Sequence, residues 1–363
     1  MHALERTRLF QKVYGCLMGG AIGDALGGPV EGWTPDQIRA TYGGNLGRFV
    51  PYQRGPSYHA HFGEGERIGA YTDDTRLKHL LCQAIVEAGG MPRPGDFARV
   101  LAYAYHHAAD PLHEGFVEEY YLKAIWGRDK VIFSGEPTNG AIMANSPVGI
   151  MAACRPHAAY QAAFDLAFPT DGYAKTAAAM MAAAIAAAMA PAPTLDGIVS
   201  AAIDAHLHFA RRREGPHLHS LDWRYDPNVK FLRAALAVAE EERDIYALQP
   251  LLYDLLEWGH LFSEATHTLV VPLAMFAAAA MDFRQTVIGC VMYGRDNDSY
   301  ASVGGALAGA FHGVGAIPQD WIETVTAANP EVDMHALALQ LTEIIVTNYE
   351  STQRELDALA ALF

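Results

Sequence analysis

The sequence predicts an all-α fold, a compact orthogonal bundle of many helices. Apolar residues recur at helical spacing through most of the chain, for example at Leu77, Leu81 and Ile85. Alternating strand patterns are scarce, and the Asn139-Gly140 pair is followed by a helical pattern rather than a second strand. A hydrophobic fraction of 51% in 363 residues supplies a sizeable core. These observations together favour helices and leave little room for a sheet.

The alanine-rich segment from Ala174 to Ala190 is predicted to be a buried helix. Its short side chains let neighbouring helices approach closely on every face. The apolar run within it is shorter than the roughly 20 residues that a bilayer span requires. The segment therefore indicates a stack of helices, and no membrane partner is expected.

One domain over residues 1–363 is predicted, because no linker, internal repeat or low-complexity tail divides the chain. Two stretches interrupt the helical pattern, near 41–71 and 211–227. Both contain Gly, Pro, His and aromatic residues, and neither has the composition of a flexible linker. We expect them to be long ordered loops.

The charge balance excludes several classes of partner. Lys and Arg number 26 against 41 Asp and Glu, a net charge of -15, so a phosphate backbone or an anionic membrane surface is a poor partner. The four cysteines lie far apart among apolar residues, and the amino terminus lacks the apolar run of a secretory signal. A cytoplasmic protein that does not bind nucleic acid is expected.

Two acidic motifs stand at predicted helix starts. Thr72-Asp73-Asp74-Thr75 precedes a helix expected to begin near Arg76, and Asp296-Asn297-Asp298-Ser299 precedes a run of small residues. An Asp or Thr N-cap explains one such residue at each place, but capping needs only one acceptor. If the two starts face each other, their carboxylates and hydroxyls form a set of hard oxygen ligands for Mg²⁺, Mn²⁺ or Ca²⁺. A pair of such ions would orient a diol and activate a water.

A glycine-rich segment over residues 19–31 carries two more carboxylates, Asp24 and Glu31. No strand precedes it, and a helical pattern runs through it, so a dinucleotide-binding loop is rejected. Carboxylates in such apolar surroundings need a metal, a backbone amide or an Arg as a partner.

The motifs together resemble the ADP-ribosylglycohydrolase family. The resemblance rests on these segments in the family's order: GCLMGGAIGD at 15–24 followed by Glu31, TDDT at 72–75, Asn139-Gly140 leading to Pro147 and Gly149, GRDNDS at 294–299, GGALAGAFHG at 304–313, and Ile317-Pro318. The resemblance implies an all-α fold and a site for two Mg²⁺ ions, with Mn²⁺ as an alternative. It also implies hydrolysis of an N- or O-glycosidic bond at the anomeric carbon of an ADP-ribosyl or related ribosyl substrate. That substrate would be a small molecule or a group attached to a protein.

The resemblance also implies roles for individual residues. The metal ligands would be Thr72, Asp73, Asp74, Asp296, Asp298 and Ser299. Glu31 and Asp298 would be the candidates for the catalytic base. The substrate pocket would include Asp24, Asn139, Gly140, Asp171 and Arg295.

The chain departs from the family pattern beside the expected substrate. Ala144 stands where many members have an Arg, Asp171 where they have a His, and Arg295 where they have a Gly. Ser299 replaces a Thr but keeps the hydroxyl. The departures favour a different substrate, such as a smaller N-riboside or a nucleotide derivative, with Arg295 offering a guanidinium to a carboxylate or phosphate.

Three functions remain open from the sequence. They are a metal-dependent hydrolase of glycosidic bonds, a non-catalytic binding or structural member of the same fold, and a metal-dependent phosphohydrolase. No Gly-x-Ser-x-Gly elbow supports a nucleophilic serine.

Overall fold

The computed structural model describes residues 3–52, 67–107, 137–212, 226–257 and 262–363. These ranges contain sixteen α-helices, three short 3₁₀ helices and no strand, which confirms the predicted all-α class. The α-helices are α1 Arg8–Gly27, α2 Pro35–Tyr42, α3 Asp73–Ala88, α4 Pro94–His107, α5 Gly140–Ala144, α6 Ser146–Met151, α7 Pro156–Leu166, α8 Ala174–Ala188, α9 Leu195–Arg212, α10 Asn228–Glu241, α11 Leu248–Leu255, α12 Ala265–Ala278, α13 Phe283–Tyr293, α14 Asn297–His312, α15 Gln319–Ala328 and α16 Met334–Ala360.

The two segments predicted as long loops are described only in part. Helix α2 continues to Tyr42, and residues 53–66 of the first segment lie outside the described ranges. Helix α9 continues through Arg212, and residues 213–225 of the second segment lie outside them as well.

The alanine-rich segment forms α8, which is buried on nearly all sides as its composition predicted. Short side chains allow helices α7, α9 and α6 to pack against it closely. None of the helices in the described ranges is both long and apolar enough to cross a bilayer.

Helices α1 and α14 form the centre of the bundle, and both are buried along most of their length. They pack backbone to backbone, because a β-carbon built on Gly15 would lie only 2.6 Å from the carbonyl oxygen of Gly309. The close pairs run antiparallel at one-turn intervals: Gly15 with Gly309, Gly19 with Gly305, Gly23 with Ala301, and Gly27 with Asp298.

This antiparallel register determines where the functional groups lie. The carboxyl end of α1, which leads to Glu31, meets the amino end of α14 at Asp298. A β-carbon at Gly27 would stand 2.6 Å from the Asp298 backbone nitrogen, and one at Gly28 would stand 2.8 Å from Cγ2 of Thr72. The glycines thus allow three chain segments to converge at one end of the helix pair.

Candidate metal centre

The two acidic motifs form the first turns of α3 and α14. Helix α3 begins at Asp73, three residues before the predicted start near Arg76, because Thr72 serves as the N-cap. The Thr72 hydroxyl oxygen accepts a hydrogen bond from the Asp74 backbone nitrogen at 3.4 Å. Asp73 and Asp74 therefore lie inside the first helical turn, where the helix dipole favours negative charge.

The two helix starts face each other, although more than 220 residues separate them in the chain. The Thr72 hydroxyl donates to Oδ2 of Asp298 at 3.3 Å. The Ser299 hydroxyl donates to Oδ2 of Asp74 at 3.1 Å. All four side chains are buried, so these contacts are made away from bulk water.

Carboxylates gather at this junction in two overlapping groups. In one group, oxygens of Glu31, Asp296 and Asp298 all lie within 4.8 Å of one another. In the other, oxygens of Asp73, Asp74 and Asp298 meet the same limit. Asp298 belongs to both groups, and it therefore stands between two possible cation positions.

The chemistry of these groups fits a hard divalent cation. Oδ1 of Asp74 is buried and has no hydrogen-bond partner in the described part of the chain. Burying a carboxylate oxygen without a hydrogen-bond partner lowers the stability of the fold unless a cation or a proton binds to that oxygen. Mg²⁺ and Mn²⁺ prefer oxygen donors of the carboxylate and hydroxyl kind found here. The acidic cluster is thus compatible with metal binding.

Burial and mutual repulsion raise the pKa values of the clustered carboxyl groups. Burial, with the neighbouring Glu31 charge, raises the pKa of Asp296 to about 7. Burial and the charges of Glu31 and Asp74 raise the pKa of Asp298 well above its usual range. Burial, followed by the Asp24 and Asp73 charges, raises the pKa of Asp74 in the same way. Protons and divalent cations therefore compete for the same oxygens.

We expect the protein stripped of divalent cations to lose stability as the pH rises. Asp296 has a pKa of about 7 in the folded chain against 3.8 as its ordinary value, so the folded state binds more protons than the unfolded state between these limits. The free energy of unfolding then falls across this window as the pH increases. A Mg²⁺ ion would bind the ionised carboxylates, so its stabilising effect should be larger at pH 8 than at pH 6. Thermal unfolding at both pH values, with EDTA or with Mg²⁺, measures this difference, and an equal Mg²⁺ effect at both would contradict it.

Asp24 lies behind the acidic cluster, in the buried part of α1. Its Oδ1 accepts from the Thr72 backbone nitrogen at 2.8 Å, and its Oδ2 accepts from the Thr75 backbone nitrogen at 2.9 Å and from the Thr75 hydroxyl. Both oxygens are thus engaged with the start of α3, and the substrate contact expected of Asp24 stays a prediction. Asp24 ties α3 to α1 and so sets the position of Asp74.

Asn139 contacts the acidic cluster directly. Its amide nitrogen donates to Oδ2 of Asp296 at 2.7 Å and to the Thr268 hydroxyl at 3.0 Å. The Asn139 backbone nitrogen donates to the Ser263 carbonyl at 2.8 Å, and Gly140 begins α5 directly after it. Asn139 therefore orients Asp296, and Gly140 is buried at the first position of α5.

Arg295 joins the loop that carries Glu31 to the start of α14. Its backbone nitrogen donates to the Trp33 carbonyl at 2.9 Å, and its carbonyl accepts from the Gly32 nitrogen at 2.7 Å. Its φ of 59° is in the left-handed region, which glycine adopts more readily. Arg295 is half-buried. Burial raises the pKa of Glu264 and the Arg295 charge partly opposes this, whereas burial and then the Arg295 charge lower the pKa of His267 to about 3.

Asp171 is buried in the loop before α8, beside the segment that carries Asn139. The neighbouring Thr170 hydroxyl donates to the carbonyl of Thr138. Two residues later, the Tyr173 hydroxyl donates to Glu264 at 3.2 Å. Ala144, in contrast, is buried at the end of α5. Through Thr170 and Tyr173, the loop that holds Asp171 therefore contacts Thr138, which precedes Asn139, and Glu264.

Sequence reasoning missed several polar residues around the cluster. Lys78 is a fully buried lysine that donates to the Ser302 hydroxyl. Lys78 follows Asp74 by four residues on an otherwise apolar helix face, a spacing that would have placed it beside the motif. Thr268 accepts from the Asn139 amide and Glu264 accepts from the Tyr173 hydroxyl, but nothing near either residue in the chain signals these contacts.

The chain is similar to a known protein family and to uncharacterized proteins of other organisms. The family model described as ADP-ribosylglycohydrolase matches residues 5–351. The chain is 25% identical over 338 residues to the uncharacterized protein YegU of Escherichia coli K12, covering 92% of this chain and 97% of that protein. It is 27% identical over 321 residues to an uncharacterized protein of Archaeoglobus fulgidus, covering 86% and 91% of the two chains.

The match spans both acidic helix starts and the glycine-packed helix pair that holds them together. On this evidence the chain belongs to the ADP-ribosylglycohydrolase family, whose members are glycosidase-type hydrolases.

Proposed function

We propose that the protein is a Mg²⁺-dependent hydrolase that cleaves the N- or O-glycosidic bond at the anomeric carbon of a ribosyl substrate. The observation that carries the proposal is the position of Asp298, which belongs to two carboxylate groups brought together by two helix starts. A single structural cation or a pair of helix caps would not require two carboxylate groups that share one residue. Thr72, Asp73, Asp74, Asp296, Asp298 and Ser299 are the proposed ligands.

Two bound divalent cations would supply charge stabilisation, orientation of a vicinal diol and a lowered pKa of water at this place. The chain's own residues prepare the site for that chemistry. Asn139 holds Asp296 through the 2.7 Å hydrogen bond, and Asp24 anchors the turn that carries Asp74. This support reduces the rearrangement needed when substrate binds.

Glu31 is the proposed general base. It follows the 3₁₀ turn after α1, is half-buried, and lies within the group that includes Asp296 and Asp298. As the water oxygen bonds to the anomeric carbon and the bond to the leaving group breaks, Glu31 would accept the water proton. The remaining carboxylates would stabilise the positive charge that develops on the ribose ring. Asp298 is the alternative base, but its position between the two groups favours a role as a ligand.

The substrate pocket is proposed to lie on the side of Asn139, Gly140, Asp171 and Arg295. Asp171 and Arg295 place one negative and one positive group where the family pattern has other residues. A guanidinium forms paired hydrogen bonds with phosphate or carboxylate. We therefore propose an ADP-ribosyl conjugate or a smaller nucleotide derivative as the substrate class, with an uncharged N-riboside as the comparison.

Product analysis tests this function. The protein would be incubated with an ADP-ribosylated peptide, an ADP-ribose conjugate and a panel of nucleosides, each with Mg²⁺, Mn²⁺ or EDTA. Release of ADP-ribose or free ribose that depends on the metal supports the proposal. Release of inorganic phosphate would indicate a phosphohydrolase, and binding without turnover would indicate a non-catalytic protein. The Glu31→Gln variant should bind substrate but lose at least about a hundredfold in kcat.

Replacing Arg295 with glycine tests the charge preference of the pocket. The left-handed φ of 59° suits glycine, so the Arg295→Gly variant should keep its fold. We expect KM for a phosphate-bearing substrate to rise about tenfold, which corresponds to the loss of one charge-assisted contact. KM for an uncharged nucleoside should change little. Steady-state kinetics on both substrates measure the two KM values, and an equal change in both would show that Arg295 does not recognise the charge.

A further inference from the structure

A buried lysine lies against the acidic cluster on the side of the helix core. Lys78 is 1% exposed and projects from α3 one turn after Asp74. Its ammonium donates to the Ser302 hydroxyl of α14. A β-carbon on Gly20 of α1 would stand 3.1 Å from this nitrogen, so the missing side chain at Gly20 makes room for it. Three helices thus enclose one ammonium group.

The surroundings of Lys78 show what balances its charge. Burial lowers the pKa of Lys78 below its ordinary value, and the carboxylates of Asp74 and Asp24 oppose this shift more than any other neighbours do. Two buried cysteines, Cys16 and Cys82, also act to raise the pKa of Lys78, but less than the two carboxylates do. The Lys78 ammonium therefore places a positive charge near Asp74, a proposed metal ligand, and near Asp24, which anchors the turn that carries Asp74.

Lys12 provides a contrast within the same helix pair. It is also buried, but its ammonium donates to three backbone carbonyls at helix ends, those of Ala188, Ala310 and Phe311. It lies twelve residues before Asp24 on α1, about 18 Å along the axis at the usual rise. Lys12 is a helix-end cap remote from the acidic cluster, whereas Lys78 lies one helical turn after Asp74 and bonds to Ser302, one turn after Asp298.

We propose that Lys78 is a resident counter-cation of the metal centre. Its ammonium offsets part of the carboxylate charge when no divalent ion is bound, and it repels the ions that bind. Like charges in a buried site interact over several ångströms, so this antagonism weakens metal affinity while it protects the metal-free fold. The inference rests on the proposed function, because it requires divalent cations at Asp74 and Asp298.

The test compares wild type, Lys78→Met and the matched control Lys12→Met. Thermal unfolding would be measured at pH 8 in EDTA and in Mg²⁺, and Mn²⁺ binding would be measured by calorimetry. For Lys78→Met we expect a large loss of Tm in EDTA, a smaller loss in Mg²⁺, and Mn²⁺ affinity increased on the order of tenfold. Lys12→Met should lose Tm equally under both conditions, with Mn²⁺ affinity unchanged.

Other outcomes overturn the proposal in distinguishable ways. Equal losses of Tm for Lys78→Met in EDTA and Mg²⁺, or weaker Mn²⁺ binding, would show that Lys78 only packs the core. If Lys78→Met does not fold, Lys78→Gln, which can still bond to Ser302, replaces it. Failure of both variants to fold in excess Mg²⁺ would likewise show a purely structural role. Absence of any Mg²⁺ or Mn²⁺ effect on wild type would refute the metal centre itself.

Discussion

The Asp298→Asn variant is expected to lose activity while its metal-free form gains stability. Asparagine keeps the size of the side chain and can still accept from the Thr72 hydroxyl, which lies 3.3 Å from Asp298. It removes the charge shared by both carboxylate groups, so kcat/KM should fall at least about a hundredfold. In EDTA the free energy of unfolding should rise by about 1 to 2 kcal/mol, because a buried charge repelled by Glu31 and Asp74 is gone.

The opposite signs of these two effects separate this result from simple misfolding. Wild type should gain about 3 kcal/mol from Mg²⁺ at a hundred times its dissociation constant, and the variant should gain almost none. Asp282→Asn is the matched control, because Asp282 is an exposed N-cap and Asn caps equally well. Retained activity and an undiminished Mg²⁺ effect in Asp298→Asn would refute the assigned centre.

The Gly23→Ala variant is expected to destabilise the protein and to weaken the metal centre together. A β-carbon at Gly23 would collide with the carbonyl group of Ala301, which is backbone and has no other rotamer to adopt. Helices α1 and α14 must then separate, at a cost of about 3 kcal/mol. Their separation also changes the distance between Glu31 and Asp298, so Mg²⁺ should bind more weakly in the protein that remains folded.

Gly95→Ala serves as the control for this prediction. Gly95 lies exposed in α4, and no atom would lie within 4 Å of an added β-carbon. Alanine there should stabilise the helix by up to about 1 kcal/mol. Chemical unfolding and Mn²⁺ titration of both variants measure the two effects. If Gly23→Ala were as stable as wild type, the backbone contact between the two helices would not control the fold.

The helical class could be predicted because hydrophobic periodicity is a local property of the chain. The same holds for the buried alanine-rich helix α8, whose composition leaves no polar face. The start of α3 was placed three residues late, since the strength of the Thr72 cap depends on geometry at Asp74 that the residue pattern does not show. Boundaries of this kind depend on one hydrogen bond and are hard to predict from periodicity.

The acidic motifs could also be found in the sequence, because two adjacent carboxylates at a helix start are unusual in a chain with 18% charged residues. The residues that surround these carboxylates were harder to predict from the sequence. Asp24 was expected in the substrate pocket, which stays a prediction, and the structure adds that its oxygens bind Thr72 and Thr75. Lys78 was overlooked because a lone lysine on a helix ordinarily projects into water. The sequence does not show which polar groups already have partners inside the fold.

The amino-acid order by itself determined the helices, the small residues that permit close packing, and the acidic helix starts, since each depends on residues a few positions apart. Tertiary structure decided that Gly27 meets Asp298, that Thr72 bonds to Asp298, and that Lys78 bonds to Ser302. These pairings join segments up to 271 residues apart. Steric fit and the cost of burying charge select them, and both act between surfaces that exist only after the helices have packed.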